Sequence, residues 1–92
     1  MALKQNFTTN SGLVANDAYY KIEKILGNKD KMIVEVSVYN IVGEEYKLVD
    51  RFRHIDGEEL SFIPNLDGDN FIKQAYTYLK TLDFFNGAVD AW

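Results

Sequence analysis

The sequence predicts an α+β domain: five to seven short antiparallel strands in β-sandwich-like sheets, with one C-terminal α-helix packed on a sheet. Three observations lead there. Between about residues 3 and 64, β-branched and aromatic residues alternate with polar ones in short runs bounded by turn residues. Between about 69 and 82 the apolar spacing changes to that of a helix. The 92 residues contain no repeat, linker or low-complexity run, so positions 1–92 form one domain.

Leu3–Phe7 reads as a first strand. It is followed by the turn-rich cluster Thr8-Thr9-Asn10-Ser11-Gly12 and then Leu13-Val14-Ala15, which together suggest an N-terminal hairpin. Tyr20, Ile22 and Leu26 share one parity, with Lys24 interrupting, and Gly27-Asn28-Lys29-Asp30 stops the segment. The clearest strand runs from Met32 to Val42. Met32, Val34, Val36 and Val38 make one face, and Ile33, Glu35, Ser37, Tyr39 and Ile41 make a mixed one. Gly43-Glu44-Glu45 turns the chain into Tyr46–His54, where Tyr46, Leu48 and Phe52 alternate against Lys47, Arg51 and Arg53. Asp56-Gly57 is a turn pair, and Leu60, Phe62 and Pro64 close a further short strand.

In the helix, Phe71, Ile72, Ala75, Tyr78, Leu79 and Leu82 fall on one side, with Lys73, Gln74, Thr77 and Lys80 on the other. Asp67 or Asp69 is placed to cap its start, and Lys80 suits its last turn. The tail from 83 to 92 is apolar enough to pack back or to meet a partner. Its aromatic residues Phe84, Phe85 and Trp92 lie outside any regular element, and are the candidate interface residues. Most other aromatic residues fall at inward parity, as core residues do.

Composition removes several classes of function. A net charge of −4 gives no reason to expect a nucleic-acid partner, which calls for a basic face. No apolar stretch approaches the ~20 residues a bilayer requires, so no membrane partner is expected. The start Met1-Ala2-Leu3-Lys4-Gln5-Asn6 lacks the apolar region of a signal peptide, so export by that route is not expected. With no cysteine there is no disulfide framework, Cys-based zinc site or thiol nucleophile.

Searches for chemistry end in structural readings. The acidic loop Asn65-Leu66-Asp67-Gly68-Asp69-Asn70 resembles a calcium loop only in part. Asn70 stands where glycine is needed and Tyr76 where a bidentate glutamate is needed, so a helix-capping turn is expected and no metal. His54, the one histidine, has no nucleophile beside it in sequence and reads as a solvated strand residue. Arg51-x-Arg53-His54 reads as a solvated or salt-bridged face. Asn6-Phe7-Thr8 fits the glycosylation sequon but carries no weight without a signal peptide. No catalytic residue and no cofactor are assigned, and the expected protein is not an enzyme.

Two segments resemble small tail and baseplate proteins of phages that infect Gram-positive bacteria. One is Gln74-Ala75-Tyr76-Thr77-Tyr78-Leu79-Lys80-Thr81-Leu82 followed by Phe84-Phe85-Asn86-Gly87-Ala88-Val89-Asp90. The other is the start Met1-Ala2-Leu3-Lys4 with Gly12-Leu13-Val14, Asn16 and Tyr20-Lys21-Ile22. The strand Ile33-Val34-Glu35-Val36 ending at Tyr39 is similar too, whereas Gly43–Asn65 matches only as strands. Asp83 stands where relatives often have proline.

The resemblance implies a fold like the N-terminal shoulder domain of lactococcal-phage receptor-binding proteins. That domain anchors the trimer to the baseplate, while a separate head binds saccharide. The sequence reaches Trp92 where a neck and head would begin, so assembly or anchoring is the implied role. The implied setting is the virion tail region of a siphophage, after synthesis in the host cytoplasm. Other tail proteins are the implied partners, and a homo-oligomer fits the symmetry of tails. The alternatives are a host cell-wall saccharide-binding module and a small non-virion phage effector.

Overall fold

Two long strands dominate the computed structural model, which describes residues 2–8, 12, 14–55 and 57–91. Strand β2 (Val14–Asn28) and strand β3 (Lys31–Val42) form a hairpin closed by Lys29 and Asp30, and the Asn28 side chain accepts the Asp30 amide at 2.8 Å. Strand β1 (Leu3–Thr8) pairs with the outer side of β2, and β4 (Glu45–Phe52) pairs with β3.

The chain then makes a small hairpin, β5 (His54–Ile55) with β6 (Glu58–Glu59), and returns as β7 (Ser61–Phe62) along the stretch of β3 that β4 leaves free. The Val34 amide donating to the Leu60 carbonyl at 2.8 Å extends that junction. Helix α1 (Phe71–Lys80), a 3₁₀ turn (Asp83–Phe85) and strand β8 (Val89–Asp90) complete the chain.

Among the described residues the main sheet is antiparallel, in the order β4-β3-β2-β1-β8, with β7 off β3. The fold is therefore α+β and sandwich-like. The sheet makes one layer, and the helix, the 3₁₀ turn and the small hairpin lie on the other side of the core.

Leu3, Ala18, Tyr20, Val34, Val36 and Val38 project from the sheet into a core completed by Leu60, Ala75, Tyr76, Leu79 and Phe85. Tyr20 is the hub: its ring meets those of Phe7, Phe84 and Phe85 edge to face at 5.3–6.1 Å. Among the described residues no helix is long and apolar enough to cross a membrane.

Several expectations are corrected in detail. The strands β2 and β3 are long rather than short, at 15 and 12 residues. A β-bulge between Ile22 and Lys24 inserts Glu23, so Tyr20, Ile22 and Ile25 face the core while Lys24 and Leu26 face away. This bulge is why Lys24 broke the alternation.

The helix starts after Asn70, not Asp67 or Asp69. The Asn70 side chain accepts the Lys73 amide at 2.9 Å, and Asp69 instead makes a surface ion pair with Lys73 at 3.6 Å. The buried stripe is Ala75, Tyr76 and Leu79, while Phe71 and Ile72 are exposed. Thr9, Asn10, Ser11 and Leu13 of the expected first turn, Asp56 of the Asp-Gly pair, Met1 and Trp92 lie outside the described residues.

Candidate functional site

One face of the sheet meets the helix and, among the described residues, the other is open. Directly opposed residues of antiparallel strands share a face, so the pairing register reads out the open one row by row. Lys4, Tyr19, Tyr39 and Leu48 form one row, and Ile41 and Tyr46 stand beside it. Lys21, Ser37 and Arg51 form the next row, followed by Lys24 and Glu35, then Leu26, Ile33 and Ser61. A second bulge, between Val38 and Tyr39 on the β3–β4 ladder, reverses the parity of β4. Phe52 therefore packs inward while Tyr46 and Leu48 point out.

The upper part of this face is aromatic. Tyr19 and Tyr46 meet edge to face at 5.1 Å and 87°, and Tyr39 lies 6.4 Å from each. Tyr46 is 55% exposed and Leu48 52%, so the cluster is a raised apolar patch rather than a buried one. The Tyr39 hydroxyl donates to Glu23, the bulged residue. That bond to a carboxylate, joined by partial burial and the negative charge of Glu23, raises the Tyr39 pKa.

Below it lies a charged network. Glu35 is only 7% exposed and accepts two hydrogen bonds from Arg53, at 2.8 and 3.0 Å, while Arg51 stands 3.3 Å away. Arg51 also donates to the buried Ser37 hydroxyl at 3.1 Å. The Arg53 hydrogen bond holds the Glu35 carboxyl below its ordinary pKa, helped by the charges of Arg53, Lys24 and Arg51 and opposed by desolvation. The expected salt-bridged reading of Arg51 and Arg53 is what the structure has. His54 is exposed on β5, opposite Glu59.

The residues expected at an interface are placed differently. Phe85 is 2% exposed, and Phe84 is half-buried against Tyr20, Phe52 and Phe85. The Gln5 side chain donates to the Phe84 carbonyl at 2.8 Å, fixing the 3₁₀ turn to β1. Both rings are thus used within the chain, and Phe85 has no surface to offer a partner in this state. Trp92 lies outside the described residues.

The acidic loop closes on itself. The Asn65 side chain accepts the Asp67 amide at 3.1 Å, and Gln74 bonds the Asn65 amide and carbonyl at 2.7 and 2.8 Å.

On the helix side, a cleft of about 370 Å³ separates the β5–β6 hairpin from the end of α1. Ile55, Leu60, Leu82 and Phe84 line it, with Glu58, Glu59 and Asp83 also on its walls. Glu59 is paired with Lys31, and this bond lowers the Glu59 pKa.

Sequence reasoning placed Tyr39 on the mixed face of its strand but grouped Tyr46 and Leu48 with the inward Phe52, because the β3–β4 bulge shifts the alternation by one residue. The signals were Lys24 in an otherwise apolar parity, and the break between Leu48 and Phe52 where Asp50 and Arg51 intervene. Comparison with known protein families, with curated proteins and with solved structures returns no match.

Proposed function

We propose that this protein is a non-enzymatic component of the tail or baseplate region of a siphophage of Gram-positive bacteria, acting in assembly or anchoring through protein contacts. The observation that carries the contact role is the uncovered sheet face bearing Tyr19, Tyr39, Tyr46 and Leu48 beside Arg51. Tyrosine and arginine around an exposed apolar centre are the residue types that dominate protein interfaces. The phage setting rests on the resemblance of the 74–90 segment and of the N-terminal strands.

A saccharide module is the weaker reading. Sugar rings stack on flat aromatic faces, and here Tyr19 and Tyr46 meet edge to face, so one face is already covered by its neighbour.

Mass spectrometry of gradient-purified virions tests the proposal. Peptides at stoichiometric level, with antibody label at the tail tip, are expected. Absence from virions, with abundance in infected cytoplasm, would overturn it and favour the effector.

A further inference from the structure

The open face is basic although the chain is acidic. The rows from Lys4–Tyr19 to Lys24–Glu35, with Arg53 and the bulged Glu23 beside them, carry Lys4, Lys21, Lys24, Arg51 and Arg53 against Glu23 and Glu35. Five cations against two carboxylates leave +3, in a chain whose net charge is −4, so all other positions together carry −7. The open face is opposite in sign to the rest of the chain taken together.

We infer that this face docks a second copy of the same chain head to tail, the tyrosine cluster and lysines of one copy seating against the acid-rimmed cleft of the next. The inference rests on the contact role proposed above and names its partner.

Three observations support it. The first is charge complementarity. The cleft walls carry Glu58 and Asp83, with Glu59 already paired to Lys31, and no lysine, arginine or histidine among their described lining residues; Ile55, Leu60, Leu82 and Phe84 supply an apolar part against which Tyr46 and Leu48 can seat. The second is repulsion between like faces: pairing two open faces would set +3 against +3, so a two-fold face-to-face dimer is disfavoured. A heterologous contact remains, which builds a ring if the rotation closes and a filament if it does not. The third is size. Two to four strands about 4.8 Å apart, over the Tyr19–Asn28 ladder at about 3.3 Å per residue, present roughly 480 Å². That is below the ~800 Å² per partner of a standard interface and fits a weak, salt-sensitive contact.

Sedimentation velocity of the full chain over a range of concentrations, at low and high salt, tests this. Two variants accompany it: Lys21→Glu with Lys24→Glu on the face, and Glu58→Lys with Asp83→Lys on the cleft. All four side chains are exposed, so circular dichroism should stay near wild type; because Lys24 lies opposite Glu35, the urea midpoint of the face variant should fall modestly while that of the cleft variant should not. The wild type should associate at low salt, and high salt should raise its dissociation constant at least tenfold.

Each double variant alone should also lose at least tenfold, and an equimolar mixture of the two should regain association, because every joint is then again opposite in sign. A wild type that stays monomeric at low salt overturns the inference, as does an oligomer that neither variant weakens. Stronger self-association of the face variant would instead indicate face-to-face pairing and overturn it too. A monomer that is nonetheless stoichiometric in virions would sink head-to-tail docking and leave the tail role standing. Oligomerisation without virion incorporation would do the reverse.

Discussion

The hydroxyl of Tyr76 on the helix accepts the backbone amide of Ile22 at 3.0 Å, at the bulge of β2. A bulge interrupts the ladder and frees a backbone group. Here a side chain 54 residues away takes it, so the helix is tied to the sheet by a polar bond as well as by packing. Tyr76 is 2% exposed, which keeps water from replacing the bond. Tyr76→Phe should therefore cost about 1–3 kcal/mol, the penalty of an unsatisfied buried amide. A urea titration should show a lower midpoint with an unchanged slope.

The helix offers a paired comparison. Leu79 is fully buried and Ile72 is 54% exposed, although both lie on the same side of the helical wheel. Leu79→Ala should destabilise by about 2–5 kcal/mol. Ile72→Ala should stay within about 0.5 kcal/mol. Equal losses in thermal unfolding would mean that the helix packs through the first-turn stripe after all.

Acid should weaken the fold through Glu35. Its folded pKa lies below the ordinary value, chiefly through the Arg53 hydrogen bond, so the stability it contributes is present above the ordinary glutamate pKa of about 4.3 and is lost as pH falls through the lowered value. Glu59, lowered by its bond to Lys31, adds in the same direction. Urea midpoints should fall from about pH 6 to about pH 3, and Glu35→Gln should start lower and fall less steeply.

Base acts through the core. Burial pushes the Tyr20 phenol up to about 12, with a hydrogen bond to Gln5 opposing it. A group whose pKa is raised by folding stabilises below its unfolded value, near 10, and ceases to do so as pH rises through the folded value. Absorbance titration of the tyrosinates should contain a late component, merging with unfolding, that shrinks in Tyr20→Phe.

Gly27 is required where β2 approaches its turn. Its φ is +142°, and a Cβ there would stand 2.1 Å from the Lys31 carbonyl oxygen. Gly27→Ala should destabilise by roughly 1–3 kcal/mol through backbone strain at the β2–β3 hairpin. A midpoint equal to wild type would show that the hairpin end can shift to make room.

Fold class was legible because β3 is unambiguous: its valines alternate without interruption, and the change to helical spacing after Asn65 is sharp. Bulges are not written in composition. At Glu23 and again near Val49, one extra residue reverses which side chains face the core, and this made Leu26 look buried and grouped Tyr46 and Leu48 with the inward Phe52. The helix cap was misassigned within one acidic cluster in which Asp67, Asp69 and Asn70 are all good caps, and backbone geometry selects Asn70. The aromatic tail read as interface because nothing local announced that Tyr20 lies beneath it.

The pairing of β1 with β8 has a temporal meaning. Lys4 pairs with Val89, and the Ala91 amide donates to the Ala2 carbonyl at 2.9 Å, so β1 is completed by a strand made more than 80 residues later. During synthesis the β2–β3 hairpin can form as soon as it leaves the ribosome, but β1 keeps one naked edge until residues 89–91 emerge. Such long-range closure slows folding and leaves a sticky intermediate. The nascent chain is then most exposed to aggregation in the interval between finishing β3 and releasing residues 89–91, and a bound chaperone would find its substrate there.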